Sequence, residues 1–476
     1  MNSKLWFLSL LSRLGKDEHG TILVQFTVYL VAVFGFIGLA LDGGRYLLLH
    51  NSLQDLADAA ALAGAAELDG TARLGGARAR ATSAAQAMAN NNPPRWYDVG
   101  GSTSITTSFY SAIDPVNGDT AATSDKDAKY IKVTTDVTAG GVSQVVPTFL
   151  IAAGAVSQPA SATAMAKATG SQCFATSMML CNPSEPLTGS TGDTSSFNPS
   201  VGAEFIFSVA GNTGGFSPGV FNLLDTPQGS GSDNEIKKFL SQQSPQFCFT
   251  GGTSPAQGQK TNATIVGINV RFDQQPNGNT SGLDLTPAPI KISGQANPVN
   301  GQGRVNCNQQ NDVSAQSLPL PHDRSFTPPT MSQGGSQQGP GPTLADLQAY
   351  WSNHHPGSLP AGVTTRWQIY QLEVAGTGNA GIWNTDAVEP HGPQCAPTNT
   401  EVPPEFDANR RLLKVAVVDC LYWGVHGNAV NEIPITHYAD FFLIRPSDGN
   451  IYTEYVGKNQ INGANSLLRR IVQLVR

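Results

Sequence analysis

The chain has 476 residues, of which 40% are hydrophobic and 13% charged, about half of the ~25% charged residues usual in soluble domains. Its formal net charge is -7, which argues against nucleic-acid binding, because that function needs clustered Lys and Arg. The 50 Gly and 31 Pro argue against a coiled coil and a mainly helical globule, and one strongly apolar stretch excludes a multi-span transporter. The length predicts two or three domains at roughly 150 residues each.

The prolines divide the chain. None of the 31 occurs before Pro93. Proline breaks helices because it lacks an N–H group and its ring clashes with the preceding turn. The distribution therefore predicts helix in the first 92 residues and turns and strands in the remainder.

Residues 21–41 form a run of 21 residues without a charge. As a helix this run is about 31 Å long, close to the ~30 Å thickness of membrane hydrocarbon. We therefore predict a transmembrane helix over 21–41, preceded by a cytoplasmic leader over 1–20. A buried core helix and a cleaved secretory signal are the alternatives.

Basic residues predict the direction of this span. Lys4, Arg13 and Lys16 precede it, whereas Arg45 alone follows within about 20 residues, and positive charge favours the cytoplasmic side. The N-terminus is therefore expected in the cytoplasm, with everything after residue 42 exported.

Residues 42–92 are predicted to continue the span as an Ala-rich helical stalk. An apolar stripe at spacings of three and four is formed by Leu49, Leu53, Leu56, Ala60 and Ala63. A second helix is expected over 71–90, before the first prolines. The two helices are interpreted as an intramolecular pair, a docking face for a partner's helix, or both.

Alternating apolar and polar residues indicate strands from residue 95 onward. The first example is the run Ile131, Val133, Thr135 and Val137. Further strands are predicted over 160–168, 203–210, 263–272, 366–375, 412–422, 433–444, 450–456 and 469–475. The fold class is therefore α+β, with an N-terminal transmembrane helix, a helical stalk and a β-rich extracytoplasmic region.

The exported part is predicted to have three segments. A β-rich region covers 93–324, and a mainly β region covers 344–476. Between them, 325–343 is rich in Pro, Gly, Ser and Gln, a composition typical of a linker or long loop. Thr343 is expected to cap a short helix, with Asp346 completing a capping box.

Six cysteines follow the membrane run, as expected for an oxidising compartment. They are Cys173, Cys181, Cys248, Cys307, Cys395 and Cys420. Sequence neighbours suggest the pairs Cys173–Cys181, Cys248–Cys307 and Cys395–Cys420. Six cysteines allow 15 full pairings, and the sequence does not choose among them; free buried thiols are the alternative.

Signatures of catalysis and metal binding are missing from the sequence. It contains no G-x-S-x-G nucleophile elbow, no phosphate loop ending in GK[ST] and no C-x-x-C. A G-x-G-x-x-G at 376–381 lacks the helix that a dinucleotide site needs, and 273–284 fits a calcium loop poorly. We predict no enzymatic activity, cofactor or metal.

Two other functions stay open for the exported part. An envelope-anchored adhesin or ligand-binding protein is the main alternative function, and a periplasmic hydrolase is a weaker one.

Several residues near the N-terminus occur in the order of a known family. They are Gly20, Phe26, the run GLALDGGR at 38–45, Leu53, Gln54 and the run ADAAALAGA at 57–65. This segment, over about 16–68, resembles the TadG-like (TadE/TadG-related) family of the tight-adherence (Tad, or Flp) pilus. Segments at 173–181, 415–420 and 439–456 resemble the long C-terminal region of TadG-related proteins.

The resemblance implies an inner-membrane protein with a periplasmic body. It would be minor-pilin-like or a scaffold, with membrane lipid, pilin-like proteins and other Tad secretion and pilus proteins as partners. The family motif and helix-packing residues would be Asp42, Arg45, Leu53, Gln54, Ala57, Asp58, Ala61 and Gly64. Some relatives carry a von Willebrand-type adhesion domain, but its metal motif D-x-S-x-S is absent here.

The resemblance also implies a prepilin-type cleavage site between Gly20 and Thr21. Related pilins carry Glu at the fifth mature position, where this chain has Gln25, followed by Phe26. Glutamine has no charge to pair with a neighbour's amino terminus in a low-dielectric bundle. We therefore expect inefficient incorporation as a major pilin and leave cleavage itself open.

Overall fold

The computed structural model describes most of the chain. The described residues are 18–91, 104–136, 161–173, 175–208, 220–226, 232–242, 248–250, 252–258, 260–272, 280–285, 288, 320–327, 336–375, 408–425, 433–447, 449–459 and 468–475. The leader residues 1–17, Cys307 and Cys395 lie outside this part. For Gly20, Thr21, Arg45, Cys173 and Cys248 only the backbone is described.

Helices and strands alternate after a long first helix. The helices are α1 (Glu18–Ala65), α2 (Ala77–Asn91), α3 (Asp233–Ser241), α4 (Thr261–Asn269), α5 (Leu344–His354), α6 (Arg366–Ala375) and α7 (Cys420–Trp423). The strands are β1 (Ser104–Ala112), β2 (Thr120–Ala121), β3 (Tyr130–Asp136), β4 (Ser161–Cys173), β5 (Met179–Cys181), β6 (Glu204–Ser208), β7 (Val220–Leu224), β8 (Cys248–Thr250), β9 (Pro255–Gln257), β10 (Ser336–Gln338), β11 (Leu412–Val418), β12 (His437–Leu443), β13 (Asn450–Asn459) and β14 (Leu468–Leu474).

The chain divides into two compact units. Unit 1 comprises Met1–Leu68, Gly75–Ala168 and Val472–Arg476, and unit 2 comprises Asp69–Leu74 and Thr169–Ile471. Each contains its own buried apolar core.

Unit 1 packs the helix pair against one face of a sheet. The strand order is β14-β4-β3-β1-β2, with β1, β3 and β4 antiparallel. Alternation along β3 buries Ile131, Val133 and Thr135, and the residues opposite them on β4 are alanines. These small partners leave room for α1 and α2, whose buried residues are also mostly alanine.

Unit 2 is built around a sheet that is buried on both faces. Its order is β10-β6-β13-β12-β11-β5, with β5 parallel to β11 and the other pairs antiparallel. Phe441 of β12 packs edge-to-face on Phe205 and Phe207 of β6. Its neighbour Phe442 contacts Trp367 and Tyr370 of α6 in a separate cluster. Adjacent residues of one strand thus fill two cores.

The α+β architecture is confirmed, but two predicted strands are wrong. Residues 263–272 and 366–375 are mainly helical, in α4 followed by a short 3-10 turn and in α6. The predicted strand 412–422 ends at Val418, and α7 follows it. Short apolar runs with several β-branched or aromatic residues are compatible with either structure, so periodicity alone misassigned them.

The Pro- and Gly-rich segment 325–343 contains a strand. Within it, β10 pairs antiparallel with β6 at the edge of the unit 2 sheet, although composition indicated a linker or loop. The helix after it is confirmed as α5. Thr343 and Asp346 form the full capping box, with the Asp346 amide donating to Thr343 Oγ1 and the Thr343 amide to Asp346.

Candidate functional site

The first half of α1 has no protein cover over most of its surface. Large apolar side chains are exposed around the helix, including Ile22 at 71% and Phe36 at 73%. Ile22–Ala65 is the one described helix long and apolar enough to cross a membrane. Water disfavours this much exposed apolar surface, so the helix is consistent with a single-pass membrane anchor. Gln25 and Phe26 lie on exposed positions of this half.

The second half of the same helix is packed into unit 1. Leu49, Leu53, Leu56, Ala57 and Ala61 are all buried. They contact a core that includes alanines of α2 and strands β3 and β4. One uninterrupted helix therefore joins the exposed apolar half to a folded core.

Gly64 permits the closest approach in this packing. A Cβ atom at this position would lie 2.6 Å from Ile131 Cδ1 and 3.0 Å from the Ala81 carbonyl oxygen. Both distances are shorter than ordinary van der Waals contact. The family-motif glycine is thus explained by the crossing of α1 with α2 and β3.

Other motif residues link α1 to the sheet. Gln54 Nε2 donates to Asp58 Oδ1 at 2.8 Å and to the Thr163 carbonyl at 3.1 Å. The Leu53 carbonyl accepts from Thr135 Oγ1 at 3.2 Å. Asp42 is buried, at 8% exposure. The spacing of the apolar stripe that begins at Leu49 and Leu53 predicted a helix face, but it could not show that α1 contacts a sheet of the same chain.

Unit 2 contains the connector between the two helices, residues 69–74. The Ala72 amide donates to the Thr191 carbonyl at 2.8 Å, and Tyr422 Oη donates to the Gly70 carbonyl at 2.9 Å. Arg73 lies 3.8 Å from Asp193. The connector is thus held by backbone and side-chain contacts rather than left as a free loop.

Two titratable side chains, His437 and Asp419, both interact with Thr194. His437 Nδ1 lies 2.8 Å from Thr194 Oγ1. Burial lowers the pKa of His437, as do Lys458 and Arg73, while Asp193 and Asp69 act in the opposite direction. Burial also raises the pKa of Asp419, which accepts hydrogen bonds from Asn182 and the Thr194 amide.

A disulfide joins Cys181 at the end of β5 to Cys420 at the start of α7. Their Cα atoms are 5.3 Å apart, although 239 positions separate them in sequence. The suggested neighbour pairs Cys173–Cys181 and Cys395–Cys420 are therefore wrong. The parallel pairing of β5 with β11 sets Cys181 opposite Val418 and so brings the two cysteines together.

Sequence reasoning missed a buried ionic cluster in unit 2. Arg366 is fully buried, with Nη2 contacting Glu204 at 3.3 Å and also Asp323, and Nη1 contacting Glu454 Oε2 at 3.1 Å. His322 Nδ1 approaches Glu204 at 2.8 Å. Apart from the adjacent His322 and Asp323, these residues are far apart in sequence, so no local spacing could have indicated the cluster.

The cluster holds α6 against the sheet. Glu454 of β13 accepts hydrogen bonds from the backbone amides of Arg366 and Trp367 at 2.9 and 2.8 Å, which caps the helix from another element. Burial raises the pKa of Glu454 against the opposing effect of Arg366. Because Arg366 and its three carboxylate partners are enclosed and bonded to one another, we interpret the cluster as structural. Within the described residues, no group of three or more His, Cys, Asp or Glu side chains has a metal-binding arrangement.

Comparison with known proteins identifies the family of the N-terminal segment. Residues 20–67 match the family described as Flp pilus-assembly TadE/G-like. No curated protein and no solved structure matches the chain significantly. The N-terminal segment is thus of the TadE/G-like kind, which confirms the resemblance drawn from the sequence and indicates a role in pilus assembly. The matched residues cover α1 from Gly20 onward and the two residues that follow it.

Proposed function

We propose that this protein is a non-enzymatic, single-pass component of Flp (Tad) pilus assembly, anchored in the inner membrane by the first half of α1. Both units would lie in the periplasm and the N-terminus in the cytoplasm. The observation that carries the proposal is the continuity of α1, which is exposed and apolar over the span and has a buried face from Leu49 onward within the family-matched segment.

The role within assembly is that of a scaffold or a minor-pilin-like subunit that contacts pilin-like proteins. An intact-mass measurement of the membrane-purified protein separates the two. A chain that begins at Thr21 favours a minor pilin, because cleavage after Gly20 releases the leader. A chain that begins at Met1 favours a stationary scaffold.

Deletion of the gene tests the proposed function. Surface pili and adherence should fall, and expression of the full chain from a second locus should restore them. Unchanged piliation in the deletion strain would contradict the proposal.

Added protease tests the location of the two units. It should digest both units only after the outer membrane is permeabilised; digestion in intact cells would instead favour a surface adhesin.

A further inference from the structure

The apolar surface of α1 does not end where the charge-free run ends. Three residues that follow Asp42 are also exposed: Tyr46 at 37%, Leu47 at 60% and Leu48 at 49%. The next residue, Leu49, is 3% exposed and belongs to the unit 1 core. We call Tyr46, Leu47 and Leu48 the juxtamembrane face; the packed helix follows it directly.

The extent of this face around the helix indicates what covers it. Successive residues of an α-helix are about 100° apart, so three consecutive exposed residues cover about 200° of the circumference. One packed helix needs an apolar stripe of only about 100°. A lipid layer surrounds a helix on all open sides, as it would around the preceding span.

The length of the uncovered helix agrees with lipid cover. Ile22 to Leu48 is about 27 residues, or about 40 Å. The bilayer hydrocarbon is ~30 Å thick, and ~40–45 Å with its headgroup regions. The exposed helix thus matches the thickness of the hydrocarbon with its headgroup layers added.

The side chains at the end of this stretch are those found at membrane surfaces. Tyr46 stacks on His50, with ring centroids 6.3 Å apart and an interplanar angle of 4°. Amphipathic aromatic rings are enriched at the headgroup level. Asp42 is buried, so its carboxylate is largely withdrawn from the surface that lipid would contact.

We propose that the juxtamembrane face lies in the headgroup layer of the bilayer, so that lipid covers Leu47 and Leu48 and unit 1 begins at the membrane surface. The inference rests on the proposed function of α1 as the anchor. It replaces a free stalk over 42–48 by a lipid-embedded segment, and it places the packed motif residues from Leu53 to Gly64 immediately outside the membrane.

Site-specific photo-crosslinking tests this placement. The full chain carries p-benzoylphenylalanine at Leu47, at Phe36 in the span, or at the exposed Asp55 two turns beyond Leu47. Each variant is placed in nanodiscs of phosphatidylethanolamine and phosphatidylglycerol, irradiated, and analysed for lipid and protein adducts by mass. We expect lipid adducts at Leu47 within about twofold of those at Phe36, and at least about fivefold fewer at Asp55, which lies about 12 Å further along the helix.

The outcomes separate this inference from the proposed function. Lipid adducts at Phe36 with only protein adducts at Leu47, from a second copy or from another segment of the chain, would overturn the inference and leave the anchor intact. Lipid adducts at Phe36 with no adduct at Leu47 would also overturn it, because the face would then be open to water. No lipid adduct at Phe36 would refute the anchor itself.

Discussion

Single residues in this protein are explained by contacts with distant elements. Gly64 is small because β3 and α2 approach it. Arg366 is buried because carboxylates from two strands and a loop surround it. Burial lowers the pKa of His437. Each account predicts the effect of a substitution.

Replacing Gly64 by alanine should loosen unit 1. The added Cβ would contact Ile131 and the Ala81 backbone, and such overpacking typically costs about 1–3 kcal/mol. Backbone hydrogen exchange in α2 and β3 should therefore accelerate. Gly44→Ala is the matched control, since its Cβ would have nothing within 4 Å, and alanine stabilises an open helical position by about 0.5–1 kcal/mol. Equal exchange rates in the two variants would refute the proposed close contact.

Replacing Arg366 by methionine should destabilise unit 2 strongly. Removing one partner of a buried ion pair leaves uncompensated charge and typically costs about 3–5 kcal/mol. Arg324→Met is the control, because the side chain of Arg324 is 72% exposed in its pair with Asp346, and exposed pairs contribute about 0–1 kcal/mol. Chemical denaturation measures the change in the free energy of unfolding for both variants. If Arg366→Met lowers the free energy of unfolding by no more than Arg324→Met does, the structural role of the cluster is contradicted.

The pKa of His437 predicts a pH-dependent stability. Its folded-state pKa is below the ordinary value of 6.5, so its contribution is present above pH 6.5 and is lost as the pH falls through the folded pKa. The advantage of the wild type over His437→Gln in free energy of unfolding should thus shrink between about pH 7.5 and pH 5.5. Comparing the two proteins cancels the groups they share, including His354, whose pKa burial also lowers. An advantage that grows on acidification would show that the folded state favours the protonated imidazole.

At the scale of elements, the sequence predicted what local pattern controls. The apolar length of α1, the alternation of β3 and the Thr343–Asp346 capping box are all local features, and all are confirmed. Helix α6 was mistaken for a strand because its amino-terminal cap comes from Glu454, 88 positions after Arg366. Helix α4 was mistaken too. It packs closely on α3, because a Cβ at Gly267 would lie 3.0 Å from the Lys237 carbonyl oxygen, and local periodicity does not reveal such a contact.

The cysteine pairing follows strand pairing rather than sequence proximity. Non-reducing peptide mapping should recover Cys181 linked to Cys420. In β-register Cys173 is opposite Cys248, a placement within the usual reach of a disulfide, so we expect that pair as well. Peptides linking Cys173 to Cys181 would contradict both predictions. Replacing Cys181 and Cys420 together by serine should cost about 2–5 kcal/mol.

Across the whole chain, one helix joins an exposed apolar segment to a folded unit. The chain passes through unit 2 at Asp69–Leu74, returns to unit 1, and enters unit 2 again at Thr169–Ile471. No local pattern could predict this division, because it depends on which distant strands pair. The predicted regional boundaries at 93, 325 and 344 reflected composition and stay predictions about the chain's organisation.

If α1 is the anchor, piliation should require it as a membrane span attached to a folded unit. The direct measurement is the number of surface pili in a deletion strain that expresses Phe36→Arg, with Asp55→Arg as the matched exposed control. Phe36 lies within the span, where a charge is disfavoured by an amount that reaches about 2.5–3.5 kcal/mol at the centre. Phe36→Arg should therefore weaken insertion and reduce pili, whereas Asp55→Arg should restore them. Full piliation with Phe36→Arg, despite its release from the membrane fraction, would contradict the account.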